Sequence, residues 1–411
     1  MGEPVTNASE PAQKAPRRAL LPLGAVLLAY LCVAIAYNAV TRLNYAPDEP
    51  WHYRYVESIA LRGELPSLSE THQAQHPPLY YALAAAWYRL GALALGGAAL
   101  ERWIRLLSTL LSLGTLVLVF SVAKHFLPDR ALPQIATVAA AAFLPLFTYM
   151  SAVVNNDALN ILLFTATLLL LVRGCLEGFS LRRAFWLGVL SGLGLLTKES
   201  ALAALPACLI VVVWDGRARG ATYCAVGKHL AAYLAAAAVV SGWWFARNQW
   251  LFGSFFIHAT AREVQRGMAE LLVAYIGKPR LPLSLLHGTL TRSLASFFVP
   301  FWIVREFVAM NLWVPLLAAW VGVVLVGLAV ARLKQAAPAS AEQGRAAWAL
   351  ALATLLLALG IVRYVLFVDY TAMEGGRYML PAIAAVGLAT VAGVGGWARK
   401  SARAHRPAAD R

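Results

Sequence analysis

Apolar runs of about 20 residues follow one another along almost the whole chain, and each is long enough to cross a bilayer as a helix. Inside hydrocarbon the backbone must satisfy its own polar groups, which leaves only helices and closed barrels. Barrel strands would show as short alternating segments rather than long continuous runs. Only 13% of the 411 residues are charged, about half the usual share for a soluble domain. The expected fold is therefore an all-α polytopic membrane protein.

The runs place spans at 19–40, 101–122, 132–151, 156–173, 183–197, 200–214, 229–246, 312–331, 347–367 and 378–396. A bundle of about ten transmembrane helices (8–12) follows, because 77–97 and 283–304 are also apolar enough to enter or lie on a membrane. The first run lacks a small-residue cleavage site and reads as a retained signal anchor. One transmembrane domain, 19–397, is expected between a disordered tail, 1–18, and a basic tail, 398–411.

Charge sets the expected orientation. Nineteen of the 35 Lys and Arg residues fall in the two tails and in the loops 123–131, 173–183, 215–228 and 332–346. By the positive-inside rule these segments are cytoplasmic, with both termini. The net charge of +15 is then explained by orientation and anionic lipid, and no nucleic-acid partner is implied. The four cysteines, Cys32, Cys175, Cys208 and Cys224, form no disulfide or zinc pattern.

The long loops 41–100 and 247–311 share the opposite, periplasmic face. In the first, Trp51, Tyr55 and Ile59, then Leu79, Leu83, Trp87 and Leu90, recur at helical spacing and predict interfacial helices. Long ordered loops on a rigid scaffold tend to carry function. The stretch NYAPDEPWHYRY at 44–55 has adjacent carboxylates, Asp48 and Glu49, with His52 and Arg54 close behind. A fixed, partly desolvated carboxylate can take a proton from an incoming hydroxyl or amine; the plainer reading is a charged interfacial loop. QHPPLYY at 75–81 adds His76 on a proline-stiffened turn, and His72, His258 and His287 fall on the same face. Glu49 and His52 have an i, i+3 metal-site spacing, but Pro50 interrupts it and no second copy exists. No cofactor is assigned, with a divalent cation as the alternative.

Arg105, Lys198, Arg247 and Arg377 are isolated cations at the non-cytoplasmic ends of spans. Charge at membrane depth is costly and tends to mark a substrate path, although any one of these could snorkel to the interface. All four at one face suit an anionic ligand such as a phosphate. In VVNNDAL, Asn155, Asn156 and Asp157 either cap a helix or line a polar pocket. No nucleotide-binding loop, GxSxG or HExxH motif occurs.

Taken in order, the acidic pair, HPPLYY, RLLS, NND, TKES, WFARNQWLFG and GRYMLP form a series across about residues 45–381. It resembles the GT-C membrane glycosyltransferases, in particular bacterial relatives of the protein O-mannosyltransferases and of the aminoarabinose transferase for lipid A. The resemblance implies a GT-C-like bundle that takes a sugar from a polyprenyl-phosphate donor. The acceptor would be an envelope lipid, glycan or protein at the periplasmic face of a bacterial inner membrane. Asp48 matches the family's base, with Glu49 beside it; Arg105 and Arg247 resemble contacts to the donor phosphate. Lys198, His76 and Arg377 match recurrent positions, and Arg54, His52 and Asp157 complete the substrate-binding candidates. DEPWHYRY departs from simpler versions of the first-loop motif, and no large C-terminal domain is expected. The alternatives are a transporter or flippase for polyprenyl-linked glycans, which would spread ionisable residues across the midplane, or a non-catalytic assembly partner.

Overall fold

Local stop and start signals divide the apolar runs into helices more finely than hydropathy alone suggests. The computed structural model describes residues 15–46, 48–257, 340–367 and 375–404, and among these no strand occurs. The expected span 312–331, the apolar stretch 283–304, His258, His287 and most of the loop 247–311 lie outside the described residues. So do residues 1–14 and 405–411 of the tails.

In chain order the helices are α1 (Ala15–Val40), α2 (Glu49–Glu57), α3 (Leu79–Gly91), α4 (Gly97–Phe126), α5 (Ala131–Ala142) and α6 (Pro145–Met150). They continue with α7 (Asp157–Glu177), α8 (Leu181–Leu195), α9 (Ala204–Ala218), α10 (Tyr223–Phe252), α11 (Ala341–Phe367) and α12 (Ile383–Ala404). A π-helical turn, Ser58–Arg62, extends α2, and 3-10 turns occupy His72–Gln75, Glu199–Ala203 and Gly375–Ala382. Seven segments among the described residues are long and apolar enough to cross a membrane.

Two expected spans need correction. The run 132–151 is broken into α5 and α6 because Pro145 disfavours helical geometry at the residue before it; Leu144 is extended, with ψ 115°. The run 183–197 is α8, whose 15 residues fall short of the roughly 20 that a spanning helix needs.

Two features fix how the helices pack. The indoles of Trp87 on α3 and Trp103 on α4 stack 4.4 Å apart, and each donates its N–H to the other's carbonyl at 2.9 Å. This seats α3 against α4 with Tyr80, Tyr81, Ala84, Ala85 and Tyr88 turned inward. Leu83 and Leu90, part of the apolar stripe expected of an interfacial helix, point outward. On a chain surrounded by lipid, the hydrogen-bonding tyrosine face gains more from burial than the leucine face.

The second feature is the GVLSG stretch of α8, which lies against α10 at close range. A Cβ added at Gly188 would sit 2.2 Å from the Tyr233 carbonyl oxygen, whereas one at Gly227 would meet nothing within 4 Å. Gly188→Leu should therefore cost about 1–3 kcal/mol through overpacking. Thermal unfolding in detergent should fall for that variant and stay unchanged for Gly227→Ala.

Polar contacts gather at the two ends of the bundle. At one end, fully buried Asp215 accepts from Arg219 at 2.9 Å and from Arg345 at 2.6 Å, which ties α9 to α11. Arg173 donates to His125 at 3.4 Å there, joining α7 to α4. The other end holds the residues between α1 and α4, the heads of α7 and α12, and the turn before α9.

Candidate active site

Asp48 is the first candidate, and its backbone explains where it points. It precedes α2 with φ 61°, in the left-handed region that Asp tolerates better than most residues. Its carbonyl starts the helix by accepting from Trp51 and His52, while its carboxylate makes no capping bond. The side chain is thereby released toward α12. Arg377, in the turn before that helix, donates to Oδ2 at 2.9 Å, and His72 Nε2 lies 3.7 Å from Oδ1. Burial pushes the Asp48 carboxyl up, but His72, Arg377 and His52 together hold it well below the usual carboxylate range.

Glu49, one residue on, turns the opposite way. It is fully buried and takes two parallel bonds from Arg105, each 2.7 Å long, and a third from the Val154 N–H at 3.0 Å. Arg105 also donates to the carbonyls of Asn38, Thr41 and Arg42 at the end of α1. A guanidinium has five N–H groups, and the partners above use all of them. No donor on Arg105 remains for a phosphate. This hub joins α1, α2, α4 and the turn before α7, and so fixes the start of α2 from which Asp48 projects.

Lys198 stands in an extended residue between α8 and the turn Glu199–Ala203. Its ammonium meets Asp157 at 2.5 Å, with both side chains buried. Asp157 opens α7 but does not cap it: Asn155 Oδ1 accepts from the Ala158 N–H at 3.2 Å. The pocket reading of Asp157 and the capping reading thus fall on different residues. The Tyr378 ring lies 5.1 Å from both the Lys198 ammonium and the Arg377 guanidinium. The Tyr378 hydroxyl also accepts from Arg377 at 3.2 Å. Two cations from different elements therefore lie beside one aromatic ring, each balanced by a carboxylate from another element.

Behind this group is a stack of rings. His52 lies between His76 and Tyr81, with centroids 6.4 and 5.8 Å away, and its Nδ1 is 2.8 Å from the Tyr81 hydroxyl. Tyr55 stacks on Tyr81 at 3.7 Å and donates to the His76 carbonyl at 3.3 Å. Burial pushes the His52 imidazole down to about 3, and burial together with the Lys198 charge lowers His76 well below its ordinary value. Burial thus favours the neutral form of both rings.

Burial raises the Tyr55 phenol, and the charge of Arg247 opposes that rise. Its guanidinium lies over Trp244 at 4.9 Å and donates to Asn248, and among the described residues no carboxylate pairs with it. Arg54 is not brought to Asp48. It lies 4.6 Å over Trp51 and lines a separate cavity of about 320 Å³ with Glu57, Arg62, Glu70 and Thr71.

The site therefore unites Asp48, Arg377, Lys198, Asp157, His52 and His76, and adds His72 and Tyr378, which sequence reasoning did not assign. Position beside Arg377 in GRYMLP was the available signal for Tyr378; His72 had only its four-residue offset from His76. Among the described residues no group of three or more His, Cys, Asp or Glu side chains is arranged to hold a metal ion.

Residues 75–245 match the family model described as dolichyl-phosphate-mannose-protein mannosyltransferase. No curated protein matches the chain by sequence. Among solved structures, it is similar to ArnT from Cupriavidus metallidurans bound to undecaprenyl phosphate, with TM-score 0.56 and 18% identity over 92% of this chain. It is also similar to the apo oligosaccharyltransferase of Archaeoglobus fulgidus, with TM-score 0.53 and 13% identity over 90% of this chain. The chain spans 60% of the ArnT chain and 50% of the oligosaccharyltransferase chain. At these identities the likeness is one of fold. The chain is a multi-pass membrane protein with the GT-C fold.

Proposed function

We propose that the chain is a glycosyltransferase that moves a hexosyl or pentosyl group from a polyprenyl-phosphate donor to an envelope acceptor. The observation that carries this reading is a partly open carboxylate, Asp48, beside Arg377 and Lys198 at the end of a lipid-embedded bundle. The match over residues 75–245 supports the lipid-phosphate sugar donor. By this reading Asp48 is the base that takes the acceptor's proton. Arg377 and Lys198, with Arg247, hold the phosphate as its negative charge grows in the transition state. Base and phosphate on opposite faces of the sugar give direct displacement with inversion. Arg105 drops out of the phosphate set and acts instead through the hub that orients α2. The cluster would open to the periplasm, because the Lys- and Arg-rich loops mark the other end as cytoplasmic.

Undecaprenyl phosphate itself tests the cation assignment. Lys198→Met should weaken its binding by about 10–100-fold, the worth of one charge-assisted bond. The double variant Lys198→Met/Asp157→Asn, which leaves no unpaired buried charge, should bind as weakly while folding normally. Lipid titration by intrinsic fluorescence reads both. Unchanged affinity in the double variant would remove Lys198 from the phosphate site.

A further inference from the structure

The proton that Asp48 removes needs a destination, and Asp48 is poorly suited to keep it. Arg377 is bonded to one oxygen, and the surrounding positive charge favours the ionised form. Three imidazoles lie around this carboxylate. His52 is enclosed against Tyr81, and His76 is buried near the Lys198 charge, so burial disfavours a proton on either ring. His72 differs in both respects that matter. Its Nε2 faces Oδ1, the oxygen that Arg377 leaves open, at 3.7 Å, and 37% of its side chain is exposed. Trp51 packs edge-on against the ring, 4.9 Å between centroids, and fixes its plane. Arg377 and His52 are the other groups that act on Asp48, and Lys198 and Asp157 join them around His52.

We infer that His72 carries the acceptor's proton from Asp48 to solvent. The inference rests on Asp48 being the base. As the acceptor oxygen bonds to the anomeric carbon, the bond from that carbon to the phosphate oxygen breaks and its electron pair stays on the phosphate. The acceptor's proton passes to Oδ1 of Asp48, then to Nε2 of His72, and an equivalent proton leaves from Nδ1 to water. The balance is one proton released per sugar moved, with no further reactant. A contact of 3.7 Å is long for transfer, and such contacts tighten in a reactive complex. His72 touches no reacting atom; it is a positioning residue that acts through Asp48.

The test uses the full chain in lipid nanodiscs with a radiolabelled undecaprenyl-phosphate hexose and pentose, following sugar release to water and to an envelope extract. His72→Gln keeps an N–H beside Asp48 but has no base to receive a proton, and His72→Ala has neither. Both variants should lose about 10–100-fold in kcat with little change in KM. Added imidazole should restore His72→Ala in proportion to its free-base fraction, and should not restore Asp48→Asn. His72→Gln at the wild-type rate beside an inactive Asp48→Asn would overturn the relay alone, as would failure of imidazole to rescue. Full activity of Asp48→Asn would overturn both the relay and the reading beneath it.

Discussion

Asp48→Asn should lower sugar transfer by about 10²–10⁴-fold, the range for loss of a positioned general base. The variant is nearly isosteric and its amide oxygen can still accept from Arg377, so the fold should survive. A second consequence has the opposite sign and is harder to mimic by damage. If Arg377 holds the donor phosphate as proposed, Asp48 and the phosphate compete for it, since Arg377 donates to Oδ2 at 2.9 Å. Removing the carboxylate charge should leave undecaprenyl phosphate bound as tightly as before, or more tightly. A variant that is slow yet binds lipid at least as well identifies a lost base. One that is slow because it no longer binds lipid would show a distorted site. The same competition implies that arrival of the phosphate draws Arg377 away and makes Asp48 a stronger base, because loss of a neighbouring cation raises a carboxyl pKa.

Breaking the Glu49–Arg105 pair should destabilise the protein by about 3–5 kcal/mol, because either change strands a buried charge. Arg105→Met leaves Glu49 with only the Val154 N–H, and Glu49→Gln leaves the guanidinium without its counter-charge. Arg105→Lys should fail as well, since an ammonium has three donors where the site uses five in a planar fork. Yield of monodisperse protein and the midpoint of thermal unfolding measure this. Whatever folded protein survives should bind undecaprenyl phosphate with nearly the wild-type Kd, because Arg105 has no donor left for it. A well-folded Arg105→Lys with weak lipid binding would return Arg105 to the phosphate site.

The membrane class and the gathering of ionisable residues at one end were legible in the sequence, because hydropathy and charge placement are one-dimensional signals. Partnership was not. Asp48 and Glu49 are neighbours in the chain with opposite destinations, decided by one left-handed residue that the sequence does not announce. The isolated cations Arg105, Lys198 and Arg377 each have a carboxylate partner, 56, 41 and 329 residues away. Of the four cations that local spacing left isolated, only Arg247 has no carboxylate partner among the described residues. Helix boundaries failed where punctuation outweighed hydropathy, at Pro145.

The most direct test of the whole account is single-turnover transfer by the wild-type protein in nanodiscs, with labelled undecaprenyl-phosphate sugars and an envelope extract as acceptor. At least one sugar should leave the lipid and appear on an acceptor with inverted anomeric configuration, releasing undecaprenyl phosphate in equal amount. Binding of the labelled lipids without any cleavage, in protein whose fold is intact, would contradict it.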